Sequence, residues 1–107
     1  MTVMDEKRSP TELYKEGFRL FMEGKYHDAL KRLNKSLEKN PNAPNAWYWE
    51  AETLRELKKC DEAKRSYDEA RSKGFNMEEK ELWFRKGICY GNSEHKEAIE
   101  CYDEANF

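Results

Sequence analysis

The chain has 107 residues, enough for one domain with a modest core and too few for two. Charged residues make up 39% of the sequence and the net charge is −2, so no basic surface for nucleic acid and no polybasic membrane patch is expected. Hydrophobic residues make up only 37%, and the 13% of aromatic residues must therefore supply much of the core.

No apolar run approaches the roughly 20 residues of a membrane span, and MTVMDEKRSP lacks the apolar stretch of a signal peptide. Cys60, Cys89 and Cys101 are odd in number and contain no CxxC pair, which favours reduced thiols over a disulfide framework or a zinc site. These features predict a cytoplasmic protein without a membrane segment.

Helix boundaries can be placed from capping and breaking residues. Ser9, Pro10 and Glu12 match an N-cap, a first-turn proline and a capping-box glutamate, so the first helix should start near Pro10 and end near Gly24. Pro44 can open a third helix, and Gly74 can end a fourth. The further helices are expected at about 26–39, 44–57, 60–73 and 79–90, and from about 94 onward.

The sequence repeats itself at a period of 34 to 36 residues. Ala29 falls on Ala63 after 34 residues, and Ala63 falls on Ala98 after 35. Repeats of this length indicate stacked helix pairs, each unable to bury its apolar face alone. Small residues in matching columns predict close helix contacts. Further matching columns are Leu13, Trp47 and Trp83; Gly17, Ala51 and Gly87; Leu20, Leu54 and Tyr90; and Leu33, Tyr67 and Tyr102.

With these columns the sequence resembles the tetratricopeptide repeat family over about 95 residues. The second copy, AWYWEAETLRELKKCDEAKRSYDEA, carries the family's large, small and apolar residues at Trp47, Ala51 and Leu54. Pro41 looks like the family's closing proline, whereas Phe75 replaces it after the second copy. The resemblance implies a single all-α domain over 1–107, with repeats at about 10–43, 44–77 and 80–107. It also implies an α-α superhelix of about six antiparallel helices, in which the first helix of each pair lines a concave groove.

Trp47, Tyr48 and Trp49 are consecutive, and neighbouring side chains on a helix point about 100° apart, so the three rings cannot enter one core together. Trp47 shares a face with Ala51 and Leu54 and is expected in the core. In the geometry that the family resemblance implies, Tyr48 and Trp49 point toward the groove, although internal packing of the groove rings remains an alternative. The full expected groove is Tyr14, Phe18, Tyr48, Trp49, Glu52, Arg55, Phe84, Arg85 and Ile88.

Members of this family that hold the carboxylate tail of heat-shock chaperones use a clamp of Lys, Asn and Arg side chains. The corresponding columns here hold Tyr14, Phe18, Trp49, Glu81 and Arg85, and only Arg85 matches. A clamp needs several donors converging on one carboxylate, so a chaperone-tail ligand is not expected. Arg85 could pair with an acidic group of a ligand, or with Glu81 four residues earlier.

The resemblance implies an adaptor that binds a peptide or helix of another protein in an aromatic-floored groove. No nucleophile with a neighbouring base and no set of metal ligands emerges from the sequence, so no enzymatic activity, no metal and no cofactor is expected. A self-associating unit that forms a homodimer, or a fragment of a longer repeat array with a scaffold role, is the alternative.

Overall fold

The computed structural model describes residues 7–90, and side chains within 7–88. This part of the chain contains five α-helices and no strand, as the all-α prediction requires, and the predicted helix bounds agree with it to within about two residues. The sixth helix expected from about 94 lies outside the described residues. The helices are α1 Pro10–Met22, α2 Tyr26–Lys39, α3 Pro44–Glu56, α4 Cys60–Ser72 and α5 Glu79–Tyr90.

The start of α1 has the capping box that the sequence predicts. The Glu12 backbone N–H donates to Ser9 Oγ at 3.1 Å, and the Ser9 N–H donates to Glu12 Oε1 at 3.2 Å. Pro10 occupies the first turn, where a missing N–H costs no helical hydrogen bond. The entry into α1 is therefore fixed by local residues alone.

The helices pack as consecutive pairs. α1 packs on α2 and α3 packs on α4, while α2 and α4 each also contact the following helix. The first helices α1 and α3 touch each other as well. Because short loops join helices that run antiparallel, this order builds a layer of first helices beside a layer of second helices.

The small-residue columns mark the closest helix approaches. A Cβ atom at Gly17 would lie 2.7 Å from Leu33 Cγ and 3.4 Å from the Ala29 carbonyl oxygen. In the second pair, Ala51 and Ala63 are fully buried. Glycine is therefore required in α1 because the bulky Leu33 of α2 fills the space that a methyl group would need.

Glu16, Glu50 and Lys86 occupy matching positions in the three repeats, and this charged column lies inside the helix pairs. Glu16 accepts a bond from Arg32 Nε at 3.1 Å, and Lys86 Nζ lies 2.6 Å from Asp68 Oδ1. Glu50, at the matching position of the second repeat, has a buried Oε2 atom without a hydrogen-bond partner. Burial, together with the negative charge of a nearby α4 glutamate, raises the pKa of Glu50 to about 7.

Two further observations bear on the predicted environment of the protein. Cys60, at the start of α4, is disulfide-bonded, so the expectation of a reduced thiol is wrong at this residue. Among the described residues, no helix combines the length and apolar character needed to cross a membrane.

Candidate functional site: the first-helix face

The nine residues expected in the groove lie on α1, α3 and α5, and they differ strongly in exposure. We call the surface they form the first-helix face. Its most exposed members are Phe84 at 51% and Ile88 at 37%. Tyr48 and Glu52 are buried, at 8% and 6% exposure. The half-buried members are Tyr14, Phe18, Trp49, Arg55 and Arg85.

Trp49 is the centre of an aromatic cluster that joins α1 to α3. Its ring lies edge-on to Phe18 at a centroid distance of 4.8 Å and to Phe21 at 5.3 Å. Tyr14 extends the cluster, with its ring 6.5 Å from Phe18. Internal packing of these rings, the alternative that the sequence left open, is therefore present, and Phe21, which was not among the nine residues, belongs to it.

The hydroxyl of Tyr14 is also held in this cluster. Burial raises the pKa of Tyr14, while a hydrogen bond with the Trp49 side chain works in the opposite direction. The aromatic cluster therefore presents half-buried rings in fixed orientations, because each ring is packed against at least one other.

Tyr48 lies in the core, contrary to the expectation that it faces the groove. Its ring stacks on Phe75 with a centroid distance of 4.2 Å and an interplanar angle of 5°, and it lies 6.1 Å from Tyr67. Trp47, which was expected in the core, is only half-buried and packs against the edge of the core. Its Nε1–H donates to the Pro41 carbonyl at 2.7 Å. The loop after α4 explains the difference, since it places Phe75 over Tyr48.

Glu52, expected in the groove, is instead a buried acceptor that ties three helices together. The Tyr67 hydroxyl of α4 donates to its Oε2 atom. Arg55 Nη2 donates to Oε1 at 2.9 Å, and Arg85 Nη1 from α5 donates to Oε2 at 3.3 Å. A buried carboxylate is tolerated here because all three donors are available to it.

Arg85 links this network to the surface. Its Nε donates to Glu81 Oε1 at 3.2 Å, so the ion pair that the sequence offered as one option is present. Its guanidinium also lies 5.5 Å from the centre of the Tyr48 ring, within cation–π range. The contacts to Glu52 and Tyr48 were not predicted, because they join residues that are more than 30 positions apart in sequence.

Phe84 and Ile88 form an exposed apolar pair on α5. They are four residues apart and therefore neighbours on one side of the helix. Arg85 sits beside them and leads into the buried Glu52 network. Apolar side chains with this exposure, next to a fixed set of rings and charges, have the composition of a protein-binding surface.

The described residues show no arrangement for metal chemistry. Within residues 7–90, no group of three or more His, Cys, Asp or Glu side chains could hold a metal ion. The carboxylate of Glu52 already receives three donors, as described above.

Comparison with solved structures shows the same arrangement of helices. A MamA structure (MamA AMB-1) matches with a TM-score of 0.75 and 25% identity, over 97% of this chain and 56% of that one. The first tetratricopeptide repeat domain of Spaghetti (RPAP3), bound to the HSP90 peptide SRMEEVD, matches with a TM-score of 0.70 and 21% identity, over 91% of this chain and 76% of that one.

A chain of the CopN–Scc3 complex matches with a TM-score of 0.72 and 20% identity, over 90% of this chain and 56% of that one. The present chain thus spans little more than half the length of the CopN–Scc3 and MamA chains. No curated protein matches the sequence. The family model "Tetratricopeptide repeat" matches residues 20–79, more than half of the sequence. The chain therefore belongs to the tetratricopeptide repeat family, as this match, the repeat columns and the stacked helix pairs show.

Proposed function

We propose that the chain is a protein-interaction module that binds a peptide or helix of another protein on the first-helix face. The observation that carries the proposal is the exposed apolar pair Phe84 and Ile88, at 51% and 37% exposure. Apolar side chains with this exposure, beside the half-buried rings of α1 and α3 in a chain with 39% charged residues, are typical of a surface that binds another protein. The proposed unit is one domain over 1–107.

The rest of the first-helix face supports this function by being rigid. Trp49 is fixed by Phe18 and Phe21, and Arg85 is fixed by Glu52. A surface that is already ordered loses little conformational entropy when it binds, so more of the contact energy appears as affinity. The aromatic cluster then acts as the floor beneath the ligand.

The ligand is proposed to be more apolar than a chaperone tail. RPAP3 binds an HSP90 peptide, but three of the clamp columns here hold the rings Tyr14, Phe18 and Trp49. Arg85 remains, and two carboxylates already neutralise it. A ligand carboxylate would have to compete with both of them, which favours a neutral or apolar ligand segment.

The test starts from a displayed library of random peptides selected on the wild-type chain. A selected peptide is then titrated by calorimetry against wild type, Phe84→Ala and Arg65→Ala. Arg65 is exposed on α4, outside the first-helix face, and serves as the control. Loss of a central apolar anchor costs about 1 to 3 kcal/mol, so Phe84→Ala should weaken binding by at least about fivefold while Arg65→Ala leaves it unchanged. Equal affinities for all three proteins would refute the proposal.

Self-association remains a second candidate because the same apolar pair could contact another copy. Sedimentation equilibrium of wild type and Phe84→Ala distinguishes self-association from binding of another protein. A dimer that Phe84→Ala dissociates favours the homodimer, and a monomer at all concentrations favours the adaptor. The cytoplasmic location stays a prediction.

A further inference from the structure

A cavity of about 180 Å³ opens where the starts of α1 and α3 meet the end of α2. It borders the aromatic cluster through Tyr14, which belongs to both. No charged side chain lines it, and its walls combine the proline rings at the two helix starts with small and neutral residues. The lining residues that matter here are Thr11, Tyr14, Ser36, Asn40, Asn45 and Ala46.

Three of the polar side chains around this cavity, Ser36, Asn40 and Tyr14, already have partners. Ser36 Oγ donates to the Pro10 carbonyl at 2.7 Å. Asn40 Oδ1 accepts a bond from the backbone N–H two residues later at 3.2 Å, and the Tyr14 hydroxyl is bonded to Trp49. A charged occupant would therefore be desolvated in a cavity whose lining offers it no opposite charge.

The second repeat shows what fits beside the equivalent tyrosine. Tyr48 follows Tyr14 by 34 residues, and Phe75 follows Pro41 by the same number. Phe75 stacks on Tyr48 at 4.2 Å, whereas Pro41 is exposed and does not line the cavity. The chain thus supplies a ring to the tyrosine of the second repeat and none from the matching position to the tyrosine of the first.

We propose that this cavity binds an aromatic side chain of the partner peptide, which stacks on Tyr14 as Phe75 stacks on Tyr48. The inference rests on the proposed function and adds the chemical class of one anchor residue. The volume is adequate, since an apolar cavity of about 150 Å³ is large enough to hold benzene. The neutral lining selects a ring of phenylalanine size over a charged side chain of similar length.

The test uses N-acetyl-phenylalaninamide as the probe and N-acetyl-leucinamide as its aliphatic match, each titrated at millimolar concentration into the full chain. The readout is the nuclear magnetic resonance signals of Asn40, Ala43, Asn45 and Ala46, including the two side-chain amides. We expect saturable ring-current shifts at these residues with the aromatic probe. Removing the platform in Tyr14→Leu should weaken binding by about threefold to tenfold, the usual contribution of a ring pair.

Tyr26→Leu is the matched control, because Tyr26 is a half-buried tyrosine that contacts Phe21 and does not line the cavity. Thr11→Trp, at an exposed residue of the cavity rim, should block the probe and serves if Tyr14→Leu does not fold. The inference would be overturned by any of three results. The leucine probe could bind as well as the aromatic probe, the signals of these residues could show no saturable shift, or both cavity variants could bind the aromatic probe as wild type does. If those outcomes occur while Phe84→Ala still weakens peptide binding, only the aromatic anchor fails and the proposed function stands.

Discussion

Replacing Glu50 by glutamine should stabilise the protein above neutral pH and change the pH dependence of folding. Glu50 belongs to the charged column inside the helix pairs, and its Oε2 atom is buried without a hydrogen-bond partner. Burial, and after it the charge of Glu62, raises its pKa from 4.5 to about 7. The folded state therefore holds this proton more tightly than the unfolded chain, and it loses stability as the pH rises through about 7.

The magnitude follows from the two pKa values. Each unit between the folded and the unfolded pKa corresponds to about 1.4 kcal/mol, so ionised Glu50 costs at most about 3 kcal/mol above pH 7. Below about pH 4.5 the carboxyl group is neutral in both states and the cost vanishes. Glutamine is neutral throughout, so the difference in unfolding free energy between variant and wild type should grow by about 2 to 3 kcal/mol from about pH 5 to about pH 8.

Glu16 provides a matched control in the same column of the first repeat. Burial would raise the pKa of Glu16, but hydrogen bonds from Arg8 and Arg32 outweigh it and hold the pKa below its usual value. Glu16→Gln should therefore destabilise the protein near neutral pH, with a cost that fades as the pH falls through the folded pKa. The two substitutions are chemically identical and should have opposite effects on stability at about pH 8.

The assay is urea unfolding followed by far-ultraviolet circular dichroism, at several values between about pH 5 and about pH 8. Wild type, Glu50→Gln and Glu16→Gln are compared at each value. A Glu50→Gln difference that stays constant with pH to within about 0.5 kcal/mol would show that this carboxyl group has an ordinary pKa. The assignment of Glu50 to a buried site without compensation would then be wrong.

Four further substitutions test the helix packing, the backbone conformation and the polar network. Gly17→Ala should cost about 1 to 3 kcal/mol in urea unfolding despite the better helix propensity of alanine, because the new methyl group meets Leu33, and a gain in stability would contradict that contact. Lys58→Gly should raise the free energy of unfolding by about 1 kcal/mol, because Lys58 has a φ of 63° and glycine adopts this conformation without strain. Gly24→Ala, at a φ of 78°, should lower it by a similar amount. Changes of the same sign in the two variants would refute this conformational argument. Glu52→Gln should cost about 2 to 3 kcal/mol by leaving two arginines without their shared carboxylate, and an unchanged melting temperature would show that the network contributes little.

The fold could be predicted from the sequence because its determinants are local or periodic. The cap at Ser9, the prolines at the starts of α1 and α3, and the glycines after two helices act within a few residues of themselves. The repeat period then pairs Ala29 with Ala63 without any knowledge of the packing. Helix bounds and helix pairing needed nothing more, and the second half of the third repeat lies outside the described residues.

The site was harder to predict because the loops decide which ring is covered. Helical spacing assigned Trp47 to the core, and the geometry implied by the family resemblance assigned Tyr48 to the groove. In the structure, Phe75 arrives from the loop after α4 and buries Tyr48, leaving Trp47 half-buried. The replacement of the closing proline by Phe75 was visible in the sequence, but its partner ring lies 27 residues away and belongs to another helix.

Matching columns in one chain thus give internal controls that a single site does not. Glu16 and Glu50 occupy one column and differ in whether arginines reach them, which reverses the direction of their pKa shifts. Tyr14 and Tyr48 occupy another and differ in whether the chain supplies a stacking ring, since Phe75 covers only the second. Residue type at a repeat position therefore fixes the helix contact, whereas the neighbouring loop and the facing helix decide whether that position is filled, charged or open to a ligand.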